Sequence, residues 1–280
     1  MKRVAVTGSS GFVGRNLIQI LRQRDNVEII YLDIVDGVNV CDWNQVKDVT
    51  ADVFIHLANK SFVPDSYKEP YSFYDINLHS TLNMLELSRL NGAKFIYLSS
   101  YVYGAPEYMP IDENHPIKAF NPYATTKVMC EQMCQGYARD FNVPMVVFRP
   151  FNIYGVGQSP QFLIPLMIKQ LTSGKIIVHD DRPKRDYIHV RDVANAINCA
   201  IDYAVEGCEI MNLGTGRSYS VREVADLIIK IYGKPVSFTS TNEFRPSEVL
   251  DTIADITKIK SIGWRQTVPF EDGLKEMILV

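Results

Sequence analysis

The sequence predicts an α/β protein: a doubly wound parallel sheet over residues 1–150, with a smaller C-terminal α/β region over residues 151–280 partly interleaved with it. Three observations predict this. A short apolar strand runs into a glycine-rich turn and then an amphipathic helix at the start of the chain. A second apolar run ends in an acidic residue about twenty positions after that turn. Strand-like and helix-like segments then alternate as far as Phe148.

In the first unit, Arg3-Val4-Ala5-Val6-Thr7 reads as a buried strand, Gly8-Ser9-Ser10-Gly11-Phe12-Val13-Gly14 as the turn, and Arg15 to Arg24 as a helix with Leu17, Ile18 and Leu21 at helical spacing. Gly8 permits the tight turn, Gly11 lets the backbone approach a pyrophosphate, and Gly14 lets the helix lie close to the sheet. The helix start at Gly11, Phe12 and Val13 offers N–H groups and a positive dipole end to phosphate oxygens. Alone, the stretch also reads as a turn with no ligand. The second strand, Val27 to Leu32, ends in Asp33, whose carboxylate suits both ribose hydroxyls of NAD and repels a 2′-phosphate. Together they predict a site for NAD rather than NADP.

Val38-Asn39-Val40 is expected as a third strand ending near Asp42, Asp52 to His56 as a fourth, Ala93 to Leu98 as a fifth, and Phe141 to Phe148 as a continuation; a helix is expected from about Tyr71 to Leu90. Ligands sit where such strands end. Leu57-Ala58-Asn59 and Ser99-Ser100 fall on that edge, the serines reading either as hydrogen-bonded strand termini or as functional hydroxyls.

In Asn121-Pro122-Tyr123-Ala124-Thr125-Thr126-Lys127, the proline suits a helix entry, and Tyr123 and Lys127 share one helical face. A nearby cation favours the phenolate, so the tyrosine pKa is expected to fall from about 10 towards a range suited to proton transfer. Such pairs also occur on ordinary surface helices; the loop, the serines and the basic C-terminal half favour chemistry.

A net charge of −3 and a pI near 6.0 argue against nucleic acid and membrane surfaces as partners. With 46% hydrophobic and 22% charged residues, the chain can bury a sizeable core. The five cysteines include no Cys-x2-Cys pair, and no His stands at metal-ligand spacing, so no metal site is expected and the thiols read as reduced. Polar residues from Thr7 interrupt the first apolar run, no stretch approaches membrane-spanning length, and a cytoplasmic location is expected.

Thr7 to Gly14, His56-Leu57-Ala58, Ser99-Ser100-Tyr101-Val102-Tyr103-Gly104, and Asn121 to Lys127 resemble the extended short-chain dehydrogenase/reductases, the NAD-dependent epimerase/dehydratase group acting on nucleotide sugars. Arg149-Pro150-Phe151-Asn152-Ile153-Tyr154-Gly155, Arg185-Asp186-Tyr187-Ile188-His189-Val190, Asn212-Leu213-Gly214, Arg245-Pro246 and Gly263-Trp264 extend the resemblance over essentially the whole chain. It implies a Rossmann NAD-binding domain and a nucleotide-sugar domain. Tyr123 would be the acid/base at a sugar hydroxyl, Lys127 would hold the nicotinamide ribose and depress the tyrosine pKa, and Ser99, five residues before Gly104, would be the catalytic Ser or Thr, with Ser100 the choice if the register slips by one. Leu57 and Ala58 would meet the cofactor through their backbones and Asp42 its adenine, while Asn59 departs from the small residue expected there. Asn77 resembles the Asn of the following helix, in a structural or a functional role. Arg185 and Arg245 would grip the sugar diphosphate through planar donor forks, Asn152 would contact the same end, and Glu248 the nucleotide ribose. Arg245-Pro246-Ser247-Glu248-Val249 and Ser61-Phe62-Val63-Pro64 look most like the GDP-sugar branch. A homodimer through the helices around Asn77–Leu90 and Tyr123–Arg139 is implied as well.

In the 4,6-dehydratases of that family an acidic residue or pair follows the catalytic Ser or Thr; here Ser100 and Tyr101 stand instead. Asp33 disfavours the NADPH of a 4-ketoreductase. The expected reaction is therefore 4-epimerisation of a nucleotide sugar through transient C4 oxidation, with 4-ketosugar reduction or simple C4 oxidation as the alternative. A dinucleotide-binding regulator that transforms nothing is the alternative outside enzymes.

Overall fold

The computed structural model describes residues 1–244 and 248–279. β1 (Lys2–Thr7), α1 (Phe12–Leu21), β2 (Val27–Leu32), α2 (Trp43–Val46), β3 (Val53–His56), α3 (Val63–Lys68), α4 (Pro70–Asn91), β4 (Lys94–Leu98), α5 (Pro122–Phe141) and β5 (Met145–Pro150) follow one another in the first half. The second half carries β6 (Asn152–Tyr154), α6 (Leu163–Gln170), β7 (Lys175–Val178), β8 (Lys184–His189), α7 (Val190–Asp202), β9 (Cys208–Leu213), β10 (Ser218–Ser220), α8 (Val221–Tyr232), β11 (Ser237–Ser240), α9 (Thr257–Ser261) and α10 (Phe270–Leu279).

A six-stranded sheet in the order β2-β1-β3-β4-β5-β9 forms the centre, every neighbouring pair parallel. β3 and β5 are buried at every residue, which is why they read as unbroken apolar runs rather than alternating ones. α1 and α7 cover one face, where Leu17, Ile18 and Leu21 meet Val193 and Ile197; α4 and α5 cover the other, where Leu85 and Cys134 meet Phe54 and Val147. β9 comes from the second half of the chain yet completes this sheet. A separate layer of β10-β8-β6 and the β11-β7 pair encloses its own core around Tyr187, Val224, Ile228 and Phe270 with α6, α8 and α10.

Two expectations fail here. Val38–Val40 is not a strand: a short 3-10 turn at Ile34–Asp36 reverses the chain, the Val38 N–H returns to the Asp33 carbonyl, and β2 becomes the sheet edge. Phe141 is the last residue of α5 rather than the start of a strand, because Asn142 follows in the left-handed conformation at φ 56° and ends the helix.

The strand order reverses at β1, so the crevice between the carboxyl ends of β1 and β3 is the topological switch point. The Gly8 loop lies over it.

Candidate active site

Gly8 has φ +65°, and a Cβ there would stand 2.8 Å from the Ala58 amide nitrogen at the end of β3. At Gly14 a Cβ would stand 2.1 Å from the Gly8 carbonyl oxygen, so α1 reaches the loop only because the side chain is absent. Gly11 caps α1 without a capping side chain, leaving the first-turn amides at Phe12 and Val13 without a side-chain acceptor. Asp33, only 7% exposed, accepts the Ser10 N–H at 2.9 Å and the Val35 N–H at 3.0 Å, which ties the loop to the end of β2. Among the described residues, Ser9 Oγ and Asn59 Oδ1 are buried without a hydrogen-bond partner. A glycine cradle, uncapped helix amides and orphaned polar atoms fit a dinucleotide at this edge.

Leu57 and Ala58 differ in detail from the expectation. Both their N–H groups donate to Thr7 Oγ1 at 3.0 Å, and the Leu57 carbonyl accepts from Asn59 Nδ2 at 2.8 Å. The Thr7 hydroxyl is also 2.7 Å from His56 Nδ1, and His56 Nε2 is 3.1 Å from Thr81 Oγ1. Burial, and then the Lys127 charge, lower the His56 pKa to about 3, so it is a neutral structural link. The backbone N–H groups of Leu57 and Ala58 are thus both taken up within the protein. The Asp42 carboxylate caps α2, accepting from the Asn44 N–H at 3.0 Å and from Gln45 Nε2 at 3.1 Å. Asn77 clasps the loop after β3 to α5, holding the backbone of Lys60 and Thr126 Oγ1.

α5 begins at Pro122 because Asn121 Oδ1 accepts the Ala124 N–H at 2.7 Å, a cap of about 1 kcal/mol. Tyr123 and Lys127 share a face, as predicted. Their electrostatics run the other way. Burial pushes the Tyr123 phenol up to about 12, opposed by the neighbouring Ser100 hydroxyl, and burial lowers the Lys127 ammonium to about 8. Lys127 Nζ donates to the Leu98 carbonyl at 2.8 Å, stands 4.7 Å from the Tyr97 ring centre and lies 5.9 Å from that of Tyr123. The pKa expectation for Tyr123 is thus corrected: desolvation is the largest cause, and the phenol is neutral in the chain by itself.

The serine expectation is corrected as well. Ser99, 3% exposed, donates to Glu131 Oε1 at 2.5 Å inside the protein, whereas Ser100 is half-buried and its hydroxyl opposes the rise that burial causes in the Tyr123 pKa. Successive residues leaving a strand point opposite ways. The Glu131 carboxylate is in turn gripped by Arg149, with Nη2 to Oε2 at 2.6 Å and Nε to both oxygens at 3.1 Å; the two side chains are 3% and 2% exposed. Arg149 also donates to the Tyr103 hydroxyl, which donates to Asn212 Oδ1 at 2.6 Å on β9. Glu131 stands one helical turn beyond Lys127 on the same face, a spacing that could have flagged it.

On the far side of the cleft, Arg185 on β8 is paired with Glu248 and donates to the Val249 carbonyl at 2.6 Å. Each side chain is 20% exposed. The two residues expected at the diphosphate and at the nucleotide ribose therefore satisfy each other. Arg185 lies near enough to Tyr101 to oppose the rise in its phenol pKa that burial causes. Tyr101 stands edge-on to Phe151 and Phe120, giving the cleft an aromatic wall. Asn152 pairs in register with Tyr187 and reaches the Asp186 carbonyl only at 3.5 Å. Arg245, with Pro246 and Ser247, lies outside the described residues.

A sequence profile of the NAD dependent epimerase/dehydratase family matches residues 4–214. The chain belongs to that family of enzymes. It is 30% identical over 326 aligned positions to UDP-glucose 4-epimerase of Bacillus subtilis, covering 98% of this chain and 94% of that one. It is 28% identical to human dTDP-D-glucose 4,6-dehydratase over 99% of this chain and 89% of that one. Among solved structures, the UDP-glucose 4-epimerase of Thermus thermophilus in complex with NAD superposes with a TM-score of 0.88 at 26% identity, covering 99% of this chain and 97% of that one. The Rossmann-like parallel sheet is that of the epimerase structure.

Proposed function

We propose that this family member is an NAD-dependent nucleotide-sugar 4-epimerase, with Tyr123 as the acid/base at the sugar C4 hydroxyl, Ser100 as its hydroxyl partner and Lys127 as the cation that steadies the phenolate. The reading is carried by one observation: a half-buried phenol on one helical face with Lys127, near the Ser100 hydroxyl that lowers its pKa, with Tyr101 rather than a carboxylate next along the chain. Removal of water from C5 and C6 needs an acid and a base of its own, and that part of the cleft wall is aromatic, which sets the dehydratase reading aside. Bound NAD supplies the acceptor, and later the donor, of the C4 hydride.

The chain's own residues do the rest. Gly8, Gly11, Phe12 and Val13 cradle the pyrophosphate, Asp33 meets the adenosine ribose, Asp42 and Asn59 flank the cofactor, and Lys127 holds the nicotinamide ribose. Tyr123 accepts the C4 hydroxyl proton as the ketone forms and returns it after the sugar presents its other face. A phenol resting at about 12 must be brought down once ligands are bound, so protonated Lys127 matters most in the loaded site. Arg185 exchanges Glu248 for the diphosphate, and Asn152 and Arg245 lie on that same end by motif. UDP-hexoses are the proposed substrates, following the B. subtilis relative rather than the short GDP-like runs Arg245 to Val249 and Ser61 to Pro64.

Incubation of the purified protein with UDP-glucose or UDP-galactose and no added cofactor tests this. Interconversion of the two is expected; inertness until NADPH and a 4-keto sugar are supplied points to the reductase instead. A homodimer belongs to the same proposal, since exposed Leu82 and Leu90 on α4 and Met129 and Phe141 on α5 leave apolar surface on these two neighbouring helices. Sedimentation velocity should return twice the chain mass, and a monomer at micromolar concentration would end that part.

A further inference from the structure

We propose that Glu131 is a positioning residue for the reaction: gripped by Arg149, its carboxylate holds the Ser99 hydroxyl inside the protein and so turns Ser100 towards Tyr123. This rests on the reading of Tyr123 and Ser100 as the proton path. The end of β4 has two consecutive hydroxyls, and only a one-residue twist separates a chain that offers Ser100 to the cleft from one that offers Ser99. The 2.5 Å bond from Ser99 to Glu131 selects between them. Glu131 cannot follow Ser99 outwards, because Arg149 holds both of its oxygens and is itself anchored through Tyr103 to Asn212 on β9. The brace thus runs from β9 through β5 to α5 and the end of β4, and α5 also carries Tyr123 and Lys127.

A buried ion pair is a poor source of net stability compared with apolar packing of the same volume. A directional requirement explains its presence better. The same carboxylate also bears on Lys127. That ammonium faces the Tyr97 ring and Leu98 carbonyl on β4, neutral His56 on β3, and Tyr123, Cys130, Glu131 and Cys134 on its own helix. Burial pulls its pKa down; Cys130, Glu131 and Cys134 oppose that, and Glu131 is the carboxylate among them. Without that charge Lys127 gives up its proton at lower pH.

Ser99→Ala, Glu131→Gln and Tyr123→Phe, made in the full chain with its bound NAD, test this through UDP-galactose turnover, NAD titration and the pH dependence of kcat. Ser99→Ala and Glu131→Gln should each lower kcat by about 10- to 100-fold, the scale of a small misplacement in a site. KM and NAD affinity should stay within about twofold, because the loss lies in the transition state. The alkaline limb of kcat should move to lower pH in Glu131→Gln and stay in place in Ser99→Ala, and Ser99→Thr should recover most of the rate. Should Glu131→Gln fail to fold, Ser99→Ala decides, since it removes one hydroxyl and leaves the ion pair whole. Near-parental kcat in Ser99→Ala, alongside an inactive Tyr123→Phe, overturns the positioning role alone; an active Tyr123→Phe overturns the proton path and this inference with it.

Discussion

Tyr123→Phe is expected to lower kcat by about a thousandfold, within the range that a lost general acid/base costs. The substitution keeps the ring and its packing at the start of α5 and removes only the hydroxyl. NAD affinity should be nearly unchanged, because in the proposed site the cofactor's phosphates and adenosine fall to the Gly8 loop and Asp33 at the ends of β1 and β2. The effect should appear equally in kcat and kcat/KM, the pattern of an interaction made in the transition state. A rate close to the parent's would remove Tyr123 from the chemistry. Circular dichroism and an NAD titration on the same sample separate lost chemistry from lost structure.

Arg149→Met is expected to destabilise the fold by about 3–5 kcal/mol, because it strands the Glu131 carboxylate in the interior. Arg149 supplies two of the nitrogens around Glu131, and both side chains are almost fully withdrawn from water. Ser99 would remain as a single hydroxyl donor, so a value near the lower end is the natural outcome. The urea midpoint should fall with the slope of the transition unchanged. A midpoint within error of the parent would mean that the pair contributes nothing to stability. Methionine approximates the arginine stem, so the comparison isolates the guanidinium.

Much of this site was legible in the sequence because it depends on short-range features. The steric role of Gly8 and Gly14 follows from a strand, a turn and a helix in immediate succession, and the atoms they would strike are those of the loop itself and of β3. Asn121 and Pro122 announced the start of α5, and Tyr123 and Lys127 met on one face because four residues make about one turn. The misreadings come from quantities the linear chain does not carry. Val38–Val40 is apolar and β-prone, yet a strand needs a neighbour, and the turn after Asp33 takes this segment off the edge of β2. Counting back from Gly104 could not decide which of Ser99 and Ser100 faces the cleft, because a step of one residue reverses direction. The spacing of Tyr123 and Lys127 carries the cation but not the burial, and desolvation is the largest cause acting on the Tyr123 phenol. Arg185 and Glu248 were each assigned a substrate contact without the sequence showing that they meet each other across 63 residues.

The central claim is that one enzyme-held site removes hydride from C4 of a nucleotide sugar and restores it to that same carbon while Tyr123 carries the hydroxyl proton. The most direct measurement is turnover of UDP-galactose deuterated at C4, with no cofactor added, followed by NMR of the UDP-glucose formed. The account predicts full retention of deuterium at C4. Loss of the label to water, or deuterium elsewhere in the sugar, would contradict it.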